Sequence, residues 1–189
     1  TALVLEGLTV SGKPLRDHLE AAGHKEAFMF ILDNMESEIS AAFIRQIHSL
    51  VLMDRPRDSG TYRKIPVRIS GAVNTPAEPV MIPELIEKLI AEYNSDNEHI
   101  VIRSAMFHLK FEGIHPFIDG NGRTGRLILN MSLMKEGYLP VNIKYSDRER
   151  YYNAFDRYYS SGDPEAMIDM IAEYERQSLQ NYISLHVNH

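Results

Sequence analysis

Apolar residues recur at helix-compatible spacings in the first third of the chain. Such spacings connect Leu15, Leu19, Ala22, Phe30 and Ile31 within residues 13–35, and Ile44, Ile47 and Val51 within residues 39–52. This periodicity is typical of helices with one buried face. The segment from Met53 to Gly60 contains Pro56 and is predicted to be a loop.

The periodicity then changes from that of a helix to that of a strand. Ile65, Val67 and Ile69 alternate with other residues, and a second apolar run at 78–82 follows a turn region. Alternation with a period of two is typical of a strand, because successive side chains point to opposite faces. A short β-hairpin is therefore predicted within residues 65–82.

The rest of the chain returns to helical periodicity. Pro83 lies where the first turn of a helix tolerates proline, and the residues after it continue as a helix. Two apolar helices are predicted at about 98–112 and 122–136, and Asp147 and the Asp163–Pro164 pair are typical caps of two further helices. Without an internal repeat or linker, the 189 residues are predicted to form one predominantly helical domain.

The composition narrows the classes of partner. A hydrophobic content of 44% is enough for one sizeable core, and the formal net charge of −6 disfavours nucleic acid. The absence of cysteine excludes disulfides, thiolate metal ligands and a thiol nucleophile. No apolar run approaches the roughly 20 residues of a membrane span, and no signal peptide precedes Thr1, so we expect a cytoplasmic protein without a membrane partner.

The densest cluster of polar functional groups is HPFIDGNGRTGR at residues 115–126, between two of the apolar helices. Gly120 and Gly122 flank Asn121 where the second of these helices is predicted to begin. Unblocked backbone N–H groups and the positive end of the helix dipole would therefore face one concavity. Such a site suits an anion, particularly phosphate.

Charged side chains surround this predicted anion site. Arg123 and Arg126 lie three positions apart, so both guanidinium groups would lie near the start of one helix. Asp119 supplies an oxygen ligand suited to Mg²⁺ bound together with phosphates, and His115 is able to take up a proton near neutral pH. Together these residues predict a polyphosphate and metal pocket with a base at its edge.

Each feature has an ordinary alternative when taken alone. A histidine before proline is more often a packing residue, Gly-Asn-Gly is more often a turn, and an arginine pair is more often a solvated helix face. These features would have to coincide by chance within twelve residues, which favours the functional interpretation. Pro116 and Phe117 are interpreted as structural, with Phe117 anchoring the loop in the core.

Residues 115–126 resemble the signature of the Fic family, His-Pro-Phe-x-Asp/Glu-Gly-Asn-Gly-Arg-x-x-Arg, with every fixed position filled. Three further stretches are similar to parts of that family: GTYRKIPVRI before and into its flap, YYNAFDRYY on its nucleotide side, and VSGKPLRDHLE at its first core helix. The resemblance implies that residues 1–189 form a single all-α Fic domain with a β-hairpin flap. It also implies transfer of AMP from ATP to a hydroxyl group of a target protein, with release of pyrophosphate.

The resemblance implies a role for each residue of the signature. His115 would take the proton from a target Ser, Thr or Tyr hydroxyl, and Asp119 would hold Mg²⁺ or Mn²⁺ at the nucleotide. Asn121, with the backbone of Gly120 and Gly122, would hold the α- and β-phosphates. The implied nucleotide-binding set is completed by Arg123 at the inner phosphates, Arg126 at the γ-phosphate, and Thr124 and Gly125 between them.

Two further regions are implied to border the nucleotide. The tip of the flap would cover it and align the target chain by strand addition, which depends on backbone more than on side chains; these residues are Ile69, Ser70, Gly71 and Ala72. Tyr151, Tyr152 and Tyr159 would line the nucleoside, although tyrosines at helical spacing are equally explained by core packing. The implied partners are ATP and a target protein, with self-modification and homodimer formation left open.

Many members of the family carry an inhibitory helix, Ser/Thr-x-x-x-Glu-Gly/Asn, whose glutamate pairs with the second arginine of the signature. The pair Glu6–Gly7 resembles part of it, but Ala2 stands in place of the hydroxyl residue. Alignment on VSGKPL puts the inhibitory helix upstream of Thr1, and residues 166–185 contain no equivalent. We therefore expect Glu6 not to be the inhibitor, and the inhibitory segment to be missing from this chain.

The resemblance leaves other functions to be distinguished. A hydrolase that removes AMP from a target would need the inhibitory glutamate, and a non-catalytic nucleotide-binding module would be expected to lack His115 or Asp119, both of which are present. A metal nuclease is disfavoured by the acidic net charge. A phosphate-transferring variant is disfavoured by the intact Gly-Asn-Gly. The sequence therefore favours an AMP transferase.

Overall fold

The protein is seen in a computed structural model that describes residues 14–69 and 73–187. Those ranges contain α1 (Leu15–Asp33), α2 (Ala41–Val51), α3 (Ile82–Ser95), α4 (Ile100–Ile114), α5 (Asn121–Lys135), α6 (Arg148–Ser161) and α7 (Glu165–Val187). Short 3₁₀ turns at Pro79–Met81 and Tyr145–Asp147 precede α3 and α6. The prediction of an all-α fold is confirmed.

Helix starts follow local sequence signals. The side chain of Ser40 accepts a hydrogen bond from the Phe43 amide at 3.2 Å and caps α2. Pro83 lies in the first turn of α3, as predicted. Asp163 accepts from the Glu165 amide at 2.9 Å and caps α7, whereas Asp147 stands at the N-cap of α6 without a side-chain bond to that helix.

Helix α4 lies at the centre of the fold, between two hydrophobic clusters. Its residues Phe107 and Phe111 join a cluster formed with α1, α2, α3 and α5, while Leu109 joins a second cluster with α5, α6 and α7. Because α4 is covered on several sides, its apolar residues do not form one narrow stripe. The loop that connects α4 to α5 is therefore flanked at both ends by buried helices.

The predicted β-hairpin is absent from the described part of the segment. Residues 65–69 form no strand, and 78–82 contain the 3₁₀ turn and the start of α3. Arg63 explains the difference, because its guanidinium donates to the carbonyls of Ile65 and Ala77 on the two sides of the segment. A side chain thus links two stretches that a backbone ladder was expected to join, and the prolines within the segment remove amide donors as well.

The longest helix, α7, has 23 residues, but acidic and basic residues interrupt its apolar positions. Across residues 14–69 and 73–187, no helix has both the length and the apolar character needed to cross a bilayer.

Candidate active site

The loop between α4 and α5 begins with a strained residue. His115 follows the last residue of α4 with φ 50° and ψ 62°, and it is the one non-glycine residue with positive φ in the described ranges. This left-handed conformation turns the chain sharply at the end of the helix. Such strain persists only where surrounding contacts enforce it.

Arg63 supplies that enforcement. Its side chain is 4% exposed and donates to the carbonyls of His115 at 2.7 Å and Ile114 at 3.3 Å, while its backbone amide donates to Pro116 at 2.9 Å. Burial lowers the pKa of Arg63, and the nearby Glu78 raises it. No local signal in the sequence marks Arg63 as buried, because it is one arginine in a polar segment.

His48 fixes the other end of the loop. Its Nδ1 accepts from the Gly60 amide at 3.0 Å, so the ring proton lies on Nε2, which donates to the Asp119 carbonyl at 3.0 Å. The imidazole stacks on Phe117 with centroids 3.6 Å apart. Burial lowers the pKa of His48 to about 4, which keeps the ring neutral. The predicted anchoring by Phe117 is confirmed, while the part played by His48 was not foreseen.

Asn121 closes the loop on itself. Its side-chain amide donates to the Phe117 carbonyl and its oxygen accepts from the Phe117 amide, both at 2.9 Å, and the residue is 2% exposed. The side chain therefore holds the loop, although the resemblance implied a phosphate contact. The Asn121 side chain faces the protein interior, so phosphate contacts at this position would come from the backbone.

The predicted anion site lies at the start of α5. The helix begins at Asn121 after Gly120, which has φ 77°. The Thr124 amide is the first to bond within the helix, to the Gly120 carbonyl at 2.9 Å. The amides of residues 121–123 precede it and have no helical acceptor, which is the arrangement that binds phosphate.

Seven of the predicted site residues meet in one pocket of about 450 Å³. Its lining includes the predicted residues Ile69, His115, Gly122, Arg126, Tyr151, Tyr152 and Tyr159, together with Glu112, Phe155 and Asp156. Thr124 and Gly125 are buried in α5 beside the pocket, and Asp119 and Arg123 lie outside its lining. Residues 70–72 lie outside the described ranges.

The three tyrosines differ in their surroundings. The hydroxyl of Tyr151 is 2.6 Å from Nε2 of His108, and that of Tyr159 donates to the Leu109 carbonyl at 2.8 Å. Both residues are packed and also line the pocket, and burial raises the pKa of each. Tyr152 is 62% exposed at the pocket mouth. Packing and nucleoside contact are therefore compatible at Tyr151 and Tyr159.

The electrostatic environment keeps His115 in its basic form. Burial and the charge of Arg63 lower the pKa of His115 to about 4, against the opposing effects of the Glu112 backbone and Asp119. Nδ1 of His115 is 3.8 Å from Oε2 of Glu112. Burial raises the pKa of Glu112 to about 7, although Arg126 acts in the opposite direction. The sequence analysis did not identify Glu112.

Asp119 lies among arginines. Its carboxylate accepts from Arg55 at 2.7 Å and lies 3.4 Å from Arg123 and 3.5 Å from Arg16. The described residues contain no group of three or more His, Asp or Glu side chains arranged to hold a metal ion. Because the Asp119 side chain is 35% exposed, its oxygens fit a Mg²⁺ bound mainly by phosphates and water.

Arg126 lies in the pocket with its guanidinium 6.0 Å from the centroid of the Tyr151 ring. It forms no ion pair with the carboxylates in the described ranges. Glu6, the residue considered as an inhibitor, lies outside those ranges. Arg126 is therefore placed to contact an anion that enters the pocket.

The fold and the loop identify the family of the chain. The model of the Fic/DOC family matches residues 38–133, which is half of the sequence and includes the entire 115–126 loop. The chain belongs to the Fic/DOC family.

Named relatives and solved structures agree with this assignment. Protein adenylyltransferase Fic of Drosophila ananassae is 33% identical over 181 residues, which cover 93% of this chain and 36% of the relative. Fic-1 of C. elegans, residues 134–508, has a TM-score of 0.89 at 29% identity and covers 99% of this chain and 57% of that structure. BepC of Bartonella tribocorum with bound AMPPNP is 19% identical with a TM-score of 0.70, a likeness of fold alone. The chain spans about a third of the length of the curated relatives it matches.

Proposed function

We propose that this chain is a protein adenylyltransferase, which transfers AMP from ATP to a hydroxyl group of a target protein and releases pyrophosphate. The observation that carries the proposal is the meeting of a neutral, partly buried His115, the open amides at the start of α5 and Arg126 at one pocket. The name shared by relatives that are 31–34% identical supports the same reaction.

The pocket suggests how ATP would lie. Tyr152 and Tyr159, with Phe155, offer aromatic surfaces for the nucleoside. The amides at the start of α5 would hold the inner phosphates, and Arg126 would reach the γ-phosphate as a bidentate donor. BepC, a structure of the same fold, contains bound AMPPNP, which supports a nucleotide as a ligand of this fold.

His115 supplies the base for the transfer. A free ring nitrogen takes the proton of the target hydroxyl as the oxygen attacks the α-phosphorus of ATP, and the bond to the β-phosphate oxygen breaks. AMP becomes esterified to the target, pyrophosphate leaves, and the proton remains on His115 until solvent removes it. The left-handed backbone of His115, enforced by Arg63, fixes the direction of the ring for this step.

A divalent cation would be held through Asp119. Mg²⁺ commonly binds through one or two carboxylates together with substrate phosphates, and when bound it neutralises charge on the departing pyrophosphate. Arg55 and Arg123 would then share the Asp119 carboxylate with the cation or turn to the phosphates.

The segment before α3 would align the target. Arg63 already occupies the Ile65 carbonyl, and residues 66–69 belong to no strand in the described structure. An extended target chain would pair with the backbone groups of that remaining stretch. Ile69 lines the pocket and would bring that chain towards His115. Residues 70–72 would complete the cover over the nucleotide.

The test is incubation of the chain with ATP labelled at the α-phosphate, followed by mass spectrometry of the chain and of added cell lysate. Transfer of AMP is expected with Mg²⁺ or Mn²⁺ and is expected to stop in excess chelator. His115→Ala should lower the rate by about 10²–10⁴-fold and leave ATP binding intact, because the ring acts on the hydroxyl. Comparable turnover by His115→Ala, or transfer of a group other than AMP, contradicts the proposal.

A further inference from the structure

Glu112 carries a carboxylate whose inner oxygen, Oε1, is buried without a hydrogen-bond partner among the described residues. It lies on α4 one turn before His115, and its Oε2 is 3.8 Å from Nδ1 of His115. Neither Oε1 of Glu112 nor Nδ1 of His115 has a hydrogen-bond partner among the described residues. Among the described residues, Glu112 is also the one carboxylate within ion-pair distance of His115. Burying a carboxylate without a partner costs stability, so packing does not explain its presence.

Two glycines of α5 lie close to the Glu112 carboxylate. A Cβ at Gly125 would lie 2.9 Å from Oε1 of Glu112 and 2.9 Å from Nδ1 of His108, so the glycine lets the helix approach both groups. A Cβ at Gly122 would lie 3.9 Å from the same carboxylate oxygen. Glu112 also lines the pocket that holds His115. The Glu112 carboxylate, carried by α4, thus lies between α5 and the ring of His115.

We propose that Glu112 is the positioning residue for His115: its ionised carboxylate faces Nδ1, directs Nε2 towards the target hydroxyl and stabilises the imidazolium formed on proton transfer. The inference rests on the proposed transfer of AMP. It follows the logic of a base oriented by an acidic group, in which the acid does not itself take the proton.

Opposing influences act on the charge of the His115 ring. Burial and Arg63 disfavour the imidazolium, whereas the main-chain carbonyl of Glu112 and the charge of Asp119 favour it. Substitution of the side chain leaves that carbonyl in place, so a variant isolates the effect of the carboxylate. As the hydroxyl proton moves to Nε2, the proton already on Nδ1 stays on the ring, the nearby carboxylate stabilises the resulting positive charge, and one proton returns from Nε2 to solvent after transfer.

The ionisation of Glu112 gives a characteristic pH dependence. The charged and titratable groups that face Glu112 are His108 from α4, His115 from the loop after it, Arg126 from α5, and Tyr151 and Tyr159 from α6. Since the pKa of Glu112 is about 7 and that of His115 is about 4, the carboxylate loses its charge first as the pH falls. Turnover should therefore decrease below about pH 7 although His115 remains neutral.

The experiment compares the wild type with Glu112→Gln, which keeps the shape and removes the charge. We expect kcat for AMP transfer to fall about 10- to 100-fold, a KM for ATP within about two-fold of the wild type, and no decrease in rate near pH 7. The matched control is Glu175→Gln. Glu175 lies on α7 away from the pocket, is 8% exposed, and its carboxylate accepts a hydrogen bond from the Leu139 amide. It should keep the wild-type rate and pH profile.

The outcomes separate this inference from the proposed function. A Glu112→Gln variant with the wild-type kcat and the same decrease near pH 7 overturns the role of Glu112, while the loss of activity in His115→Ala still supports AMP transfer. A wild type that binds ATP but transfers no AMP overturns the proposed function, and the inference falls with it. We expect Glu112→Gln to melt at or above the wild-type temperature, because a buried charge is removed; loss of the fold would make Glu112 structural and overturn the inference.

Discussion

Single buried polar residues determine the shape of the site. Arg63 is the clearest example, because it binds the carbonyls of His115 and Ile114 on the loop and those of Ile65 and Ala77 on the segment before α3. Guanidinium groups suit this task, since their donors point in several fixed directions. One side chain thus links the loop at residues 115–126 to the segment proposed to dock the target.

Replacing Arg63 should loosen both regions. We expect Arg63→Met to lower the free energy of unfolding by about 3 kcal/mol or more, because several buried carbonyls lose a charged donor. Urea denaturation followed by circular dichroism measures this loss. The control is Arg68→Met, an exposed position in the same segment, which should change stability by less than about 0.5 kcal/mol. Equal effects of the two substitutions would show that Arg63 does not brace the loop.

At the scale of the element, the start of α5 positions the backbone amides that we propose to hold phosphate. Gly120 adopts φ 77°, and a Cβ there would lie 2.8 Å from Cδ1 of the buried Leu52 and 3.3 Å from Nε2 of His48. The position therefore requires glycine both for its backbone angle and for its close approach to α2 and the residue after it. Any shift here would move the amides that face the pocket.

Gly137 provides a matched comparison for Gly120. It has φ 82°, but a Cβ there would meet no atom within 4 Å. Gly137→Ala should cost only the strain of the left-handed backbone, about 1 kcal/mol, whereas Gly120→Ala should cost about 2 kcal/mol or more and weaken ATP binding. Chemical denaturation and calorimetric titration with ATP measure the two effects. Indistinguishable losses in the two variants would refute the role given to close packing at Gly120.

At the scale of the whole molecule, the buried titratable groups link stability to pH. Burial lowers the pKa of His48, His108 and His115 to about 4, 3 and 4, so each binds fewer protons in the native state than in the unfolded state below pH 6.5. Glu112 acts in the opposite sense, because its pKa is raised from 4.5 to about 7 and the native state holds the extra proton. The three histidines therefore make the native state more stable at higher pH, and Glu112 makes it more stable at lower pH.

The free energy of unfolding should therefore fall as the pH decreases from about 6.5 to 4.5. Glu112→Gln removes the opposing contribution, so its loss of stability over the same window should be steeper than that of the wild type. Urea titrations at half-unit pH steps measure the two slopes. A wild type whose stability rises on acidification in this window would show that the histidines are not held neutral in the native state.

Much of the fold and part of the site followed from local sequence signals. Periodicity predicted the helices, the proline at residue 83 marked the first turn of α3, and the glycines around Asn121 marked the start of α5. The signature also predicted that His115 and Arg126 act together, and both line one pocket. These features depend on residues close in sequence, so the sequence alone was sufficient to determine them.

The tertiary structure decided which partner each buried polar group has. Arg63 links two stretches where a hairpin was predicted, and His48 bonds to the Asp119 carbonyl. The Asn121 side chain faces the interior, and Gly125 lies close to Glu112. These contacts depend on how separate parts of the chain pack together. A buried donor or acceptor must find a partner wherever packing brings one, and the sequence pattern does not specify that partner. The sequence therefore determined the helices and pointed to the residues proposed for the reaction, and packing between helices decided the orientation and charge of those residues.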